Sequence, residues 1–345
     1  MKEWILDTPV MLTFFTRHET LMKVFNKIHE VRPRTLFLVG DGPRLNNLSD
    51  KENIEKCKKI LENIDWKCDV HRYYSELNRG ILINATEGFE KAFSLVDRLI
   101  FLEDDMLPSK SFFYFCSELL EKYKNDLRIQ AISGINLFEQ YGPDNYDYFF
   151  SRRIVSGACA FWKRTYENRN NKYDYFNDKY VMHLIKQNMP KSMNFILKNA
   201  YRDKIGYEID NKPKSIETIS IMNLYLQSGC YITPSKNLTV SIGISIKSAH
   251  TTDNINKMPK GIRKFFQLKT FEYEFPLRHP KNVMNDINYE KKCERLFGEG
   301  YPLVRFHRKI VSFLLIAKYD GIFVAFRTTK KRMRRFILKE SDING

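Results

Sequence analysis

Between residues 10 and 133, short apolar runs alternate five times with longer stretches whose apolar residues recur at helical spacing. Val10–Phe15 (VMLTFF) reads as a buried strand. His18–Val31 follows, with Leu21, Val24, Phe25 and Ile28 on one helical face. Thr35–Val39 is a second strand, closed by Asp41-Gly42-Pro43, and Asp50–Ile64 is a charged amphipathic helix. Lys67–Tyr73, Arg98–Leu102 and Arg128–Ser133 complete the strands, with helices over Gly80–Ser94 and Ser109–Tyr123. This alternation predicts an α/β fold: a doubly wound, mostly parallel sheet with helices on both faces. In such sheets the ligand crevice lies beyond the carboxyl ends of the strands. Thr16-Arg17, Asp41-Gly42-Pro43-Arg44 and Glu103-Asp104-Asp105 should therefore share one rim. Basic and acidic groups at a single rim describe a site for a metal and a phosphorylated ligand.

Beyond residue 140 the pattern is less regular. Tyr141–Phe150 reads as a loop, Tyr166–Lys191 as partly helical, Ser215–Gln227 as a helix, and 256–300 shows little periodicity. A hydrophobic share of 43% with 14% aromatics is enough for a large core and excludes a disordered chain. The net charge of +16 favours polyanionic partners. Half of it lies in the last 45 residues, with 11 Lys+Arg against 3 Asp+Glu, so the body is only mildly basic. Six cysteines show neither Cys-x-x-Cys pairs nor zinc spacing and read as reduced core thiols. The opening residues carry Lys2, Glu3 and Asp7 and no export signal. The apolar stretch Ile310–Ala317 falls far short of the ~20 residues a spanning helix needs. A cytoplasmic protein is the expectation.

Three consecutive carboxylates, Glu103-Asp104-Asp105, directly follow an apolar strand. Packed like charges repel unless a cation or hydrogen-bond donors neutralise them. One carboxylate, water and two phosphate oxygens around a hard divalent ion would do so; a solvated turn leading into the next helix would too. The segment FLEDDMLPSKSFFYFCSELLEKY resembles the metal-binding motif of GT-A type glycosyltransferases. It is similar in particular to the bacterial nucleotide-diphospho-sugar transferases labelled hemolysin-activation-like, and more distantly to the N-acetylglucosaminyltransferase I group. PVMLTFFTRHETL, LFLVGDGPR, AISGINLF, YFFSRRIVSGACAFWKR, SGCYITPSKNLTVSIGISIKSAHTT and FEYEFPLRHP extend the resemblance over roughly residues 9–280.

The resemblance implies a GT-A domain over about 1–255, with a donor half to about 135 and an acceptor half beyond it. An irregular distal segment (256–300) and a basic amphipathic segment (301–345) would follow. It implies Asp105 as direct metal ligand, with Glu103 and Asp104 holding ribose and coordinated water. Thr16 and Arg17 would lie near the nucleotide or diphosphate, with Arg44 at the same rim. Asp41 would accept a hydrogen bond from the base, and Arg79 would face the pocket. His250 would be a second metal ligand, tilting the choice of Mn²⁺ or Mg²⁺ toward Mn²⁺. Glu217, after Ser215-Ile216, would be the base that takes the acceptor proton, although Ser215 as cap with an acid in the first turn also suits any helix. Trp162 could flank the acceptor sugar or simply pack in the core. In two places the chain departs from the family's pattern. Ile216 replaces an aromatic residue, and the run Gly243–His250 lacks an acidic pair.

The implied function is a metal-dependent, inverting transferase. It would use a nucleotide-sugar donor, of the UDP kind, and a saccharide or lipid-linked acceptor, in surface polysaccharide or lipopolysaccharide synthesis. Residues 304–339, with six basic residues among the nine of Arg327–Arg335, suit an anionic membrane on the inner face of the cytoplasmic membrane. A solvated charged helix is the plainer reading, and no base-reading nucleic-acid motif is present. Two rivals remain: a nucleotidyltransferase on a related sheet, and a non-catalytic basic RNA- or membrane-binding protein.

Overall fold

A computed structural model describes residues 5–153, 157–244 and 255–331. His250, and residues 332–339 of the basic segment, lie outside the described residues. The core of the fold is an eight-stranded sheet in the order β3-β2-β1-β4-β8-β6-β9-β7. Its strands are β1 (Val10–Phe14), β2 (Thr35–Gly40), β3 (Asp69–Tyr74), β4 (Arg98–Glu103), β6 (Ile129–Ser133), β7 (Tyr148–Ser151), β8 (Ala158–Trp162) and β9 (Cys230–Pro234). A second, two-stranded sheet pairs β5 (Met106–Pro108) with β10 (Thr239–Ser241). All strands but β7 and β8 run one way in the large sheet, giving the Rossmann-like, GT-A-like arrangement expected.

The central strands are buried on both faces, which is why they read as unbroken apolar runs. Helices α1 (His18–Val31), α2 (Leu48–Leu61) and α4 (Lys110–Lys122) cover one face. Leu21, Phe25, Cys57, Phe112 and Leu119 there meet Leu12, Leu38 and Ile100 in the largest core cluster. α3 (Ile81–Phe93) covers the other face, packing Phe89 and Phe93 on Met11, Phe37 and Phe101. Five cysteines are buried and Cys68 is half-buried.

A helical module built from α6 (Lys179–Asn188), α7 (Asn194–Asp210) and α8 (Ile216–Leu226) has its own apolar cluster around Tyr173, Met193, Ile219 and Met222. The short α5 (Lys163–Glu167) links β8 to it. α8 joins this module to the sheet, because Leu224 packs against Ala131 and Tyr231.

Two sequence expectations change, and Trp162 takes the second of its two readings. The stretch read as a loop to Phe150 ends in strand β7, at the sheet edge. Within 256–300 lie α9 (Lys260–Arg263) and α10 (Ile287–Phe297). The chain between them straps along α4 and β7: Leu277 N–H donates to Glu118 at 2.9 Å, and Arg278 N–H donates to Asp147 at 2.7 Å. Finally, Trp162 sits in the core, 4% exposed, with its indole N–H on Leu120 O at 3.1 Å. β8 runs antiparallel to β4 and pairs Trp162 with Arg98, at the end of β4 away from the acidic trio. Trp162 cannot flank an acceptor there.

Candidate active site

Because β1, β2, β3 and β4 are mutually parallel, their carboxyl ends open on one rim. The hydrogen bonds show how closely the segments meet. Phe15 N–H donates to Asp104 Oδ2 at 3.2 Å, and Asp41 N–H donates to Phe14 O at 3.2 Å. Arg17, at the N-terminus of α1, pairs directly with Asp105 and lies 3.6 Å from Asp104. One guanidinium thus faces the acidic trio.

β4 ends at Glu103 and the chain turns at Asp104-Asp105, so the three carboxylates take different surroundings. Glu103 turns to the α3 face and lines a cavity of about 600 Å³. Asp104 turns back to the end of β1 and is only 4% exposed. It braces Phe15 and Arg17. Asp105 meets Arg17. Burial, then repulsion from Asp105 and Asp104, pushes the Glu103 carboxyl up to about 7. Burial lifts Asp104 to about 6 in spite of Arg17. Burial alone would lower the Arg17 pKa, but Asp104 and Asp105 outweigh it and raise it.

The chain returns over this trio after β10. Ile242 N–H donates to the Asp105 carbonyl at 2.8 Å. Gly243 follows so closely that a Cβ there would overlap the Asp105 carboxylate and come within 2.8 Å of the Arg17 guanidinium. A glycine is needed because only a bare backbone leaves space for the carboxylate. Among the described residues no three acidic, His or Cys side chains converge as a metal site. Asp105, the expected metal ligand, lies under this glycine and is paired with Arg17.

Asp41, expected to accept from the base, is held here by the chain itself. Its buried carboxylate accepts from the N–H groups of Gly42, Arg79 and Gly80 and from Asn78 Nδ2, each at 2.9 Å. Both oxygens are engaged by the chain itself, so the side chain pins the 78–80 loop. Gly42 completes this lock, since a Cβ would come within 2.6 Å of the Leu77 backbone.

Arg44 is also tied locally, through a two-point pair with Asp50 at 2.6 and 2.7 Å that closes the start of α2. Arg79 binds both Glu87 oxygens at 2.7 Å. It lines a separate cleft with Tyr73 and Lys91, so it does not face the Glu103 cavity. Thr16 lies half-buried at the rim, directly before Arg17.

Glu217 stands in the first turn of α8. The Ser215 hydroxyl caps that turn by accepting from Thr218 N–H at 3.1 Å. Glu217 is exposed and lines the same 600 Å³ cavity as Glu103, together with Phe101, Phe161 and Tyr166. It also lines a second cavity of about 330 Å³, walled by Arg153, Phe265, Phe266 and Phe297. Sequence reasoning missed that second cavity, because its walls come from segments near 153, 195, 262 and 297 that carry no shared motif. Arg153 is paired there with Glu299, with both side chains largely buried.

No family model matches the chain. A TPR repeat-containing protein of Methanocaldococcus jannaschii is 24% identical over 183 residues, which is 52% of this chain and 31% of that protein. The chain thus spans about a third of the length of that curated relative. Among solved structures, the 4-diphosphocytidyl-2C-methyl-D-erythritol synthase of Anaerococcus prevotii aligns at 11% identity over 69% of this chain and 92% of its own, with a TM-score of 0.34. An apo UDP-glucose pyrophosphorylase aligns at 9% identity over 68% and 93%, with a TM-score of 0.32. A cytidylyltransferase of Leptospira borgpetersenii aligns at 10% identity over 53% and 72%, with a TM-score of 0.29. The fold assignment rests on the strand order described above and not on these likenesses.

Proposed function

We propose that the chain is an inverting glycosyltransferase. It moves a sugar from a nucleotide-diphospho-sugar, of the UDP kind, to a hydroxyl of a saccharide or lipid-linked acceptor. One observation carries this reading: the carboxylate that closes β4 and the carboxylate that opens α8, Glu103 and Glu217, line a single cavity. They are 114 positions apart in the chain, and the cavity starts at the Glu103 rim, where α/β sheets take nucleotides, and runs along the sheet face past Phe101, Phe161 and Tyr231.

The donor occupies the larger cavity with its diphosphate toward Arg17 and the N-terminus of α1, where a cation and unpaired N–H groups favour anions. The acceptor enters from the smaller cavity, on the other side of Glu217. Glu217 accepts the hydroxyl proton as the oxygen attacks the anomeric carbon, a contribution of about 10²–10⁴ in rate. The bond from that carbon to the diphosphate oxygen breaks, and Arg17 stabilises the charge that develops there. A Mn²⁺ or Mg²⁺ held by Asp105 would neutralise more of the same charge. His250 is a further proposed ligand, in the segment that follows Gly243. The resemblance would place such an enzyme in bacterial surface polysaccharide or lipopolysaccharide assembly.

The test is product analysis over a panel of nucleotide sugars, with and without Mn²⁺. Release of a nucleoside diphosphate is expected. Release of pyrophosphate from a nucleoside triphosphate and a sugar phosphate would replace this reading with nucleotidyl transfer.

A further inference from the structure

We propose that the C-terminal helices form a docking face for an anionic lipid surface. Helix α11 (Pro302–Asp320) presents Leu303, Phe306, Ile310 and Leu314 at spacings of three, four and four, one helical stripe. They are 82%, 64%, 44% and 58% exposed. The opposite side of α11 holds it to the body: Ile316 is buried, the Arg308 guanidinium grips Leu296 O, and Lys257 pairs with Asp320 at 2.7 Å. The stripe therefore faces outward because the helix is seated from behind. A helical run over 322–331 folds back, with Phe326 against Phe313 at 5.1 Å, and adds exposed Ile322 and Phe323.

The charge decides the occupant. Residues 302–331 carry seven Lys+Arg and one acid, Asp320, which is already paired. A second copy would set seven cations against seven, whereas anionic headgroups complement them while the stripe enters the acyl boundary. No helix of the described residues is long and apolar enough to cross a membrane, so α11 lies along the surface. Leu296, which the seated side of α11 grips, and Phe297 line the smaller cavity beside Glu217. Under the transferase reading, docking would present the acceptor side to lipid. The docking itself does not depend on that reading.

The test is sedimentation of the full chain with phosphatidylcholine vesicles, with and without phosphatidylglycerol. The chain should bind the anionic vesicles and release as salt rises. The triple variant Phe306→Ser, Ile310→Ser, Leu314→Ser, and separately Lys330→Glu with Lys331→Glu, should each lose about ten-fold or more in vesicle affinity. Their melting temperature should be unchanged, since the altered side chains are exposed. Equal binding by wild type and both variants would overturn the proposal. So would a dimer, seen by analytical ultracentrifugation, that the triple variant abolishes while no vesicle binding is found. Binding to vesicles without donor turnover would uphold docking and defeat only the transferase reading.

Discussion

At the scale of single residues, exposed carboxylates differ from buried ones that hold the frame. Glu217 is exposed, and its helix start is secured by Ser215. Glu217→Gln should therefore fold normally and lower turnover by about 10²–10⁴, with donor affinity retained; steady-state kinetics and calorimetry with UDP check both halves. Asp41 is the opposite case. Asp41→Ala would strand four donors that now converge on one buried carboxylate, a destabilisation of about 2–4 kcal/mol measurable by urea unfolding. Gly243→Ala forces the Asp105 carboxylate or the backbone to shift. Weaker Mn²⁺ binding is expected, read by electron paramagnetic resonance on the protein without donor. Unaltered binding would place the metal elsewhere.

At the scale of elements, α8 bears directly on the proposed chemistry, because Glu217 stands in its first turn. Ser215→Ala removes its cap at a cost of about 1 kcal/mol and frays the turn that aims Glu217. Turnover should fall while the melting temperature moves only a few degrees. The elements between 10 and 133 were legible because parallel strands buried on both faces are apolar throughout and the helices between them keep a clear stripe. β7 was not, since its strand follows Gly142, Asp144, Asn145 and Asp147 directly, a turn-like composition. Its burial comes from far away: Tyr289 packs on Phe149, and Arg278 pairs with Asp147. α10 was hidden because lysines and glutamates surround its two buried positions, Tyr289 and Cys293. The acidic trio was legible as a rim feature, but its divergence was not. Which face each carboxylate takes depends on where β4 stops, and Asp41's partners come from a loop nearly forty residues on.

At the scale of the whole molecule, the sheet clusters and the α6–α8 cluster are separate packing units. Opening of one such unit alone is a low-energy fluctuation compared with global unfolding. Amides in 179–210 should exchange with solvent well before those of β1, β2 and β4, as mass-detected hydrogen exchange would show. Equal protection would mean that the helical module and the sheet unfold as one.

The reversed strand β8 has a consequence of its own. Its parallel neighbours finish at the rim, whereas β8 starts there, with Gly157 O accepting from Glu103 N–H at 2.9 Å. Gly157, which leads into β8, is therefore delivered to the wall of the cavity that Glu103 lines. A side chain added at Gly157, whose φ is +103°, would press on Met106, so the width of the cavity at this point is kept by a bare backbone.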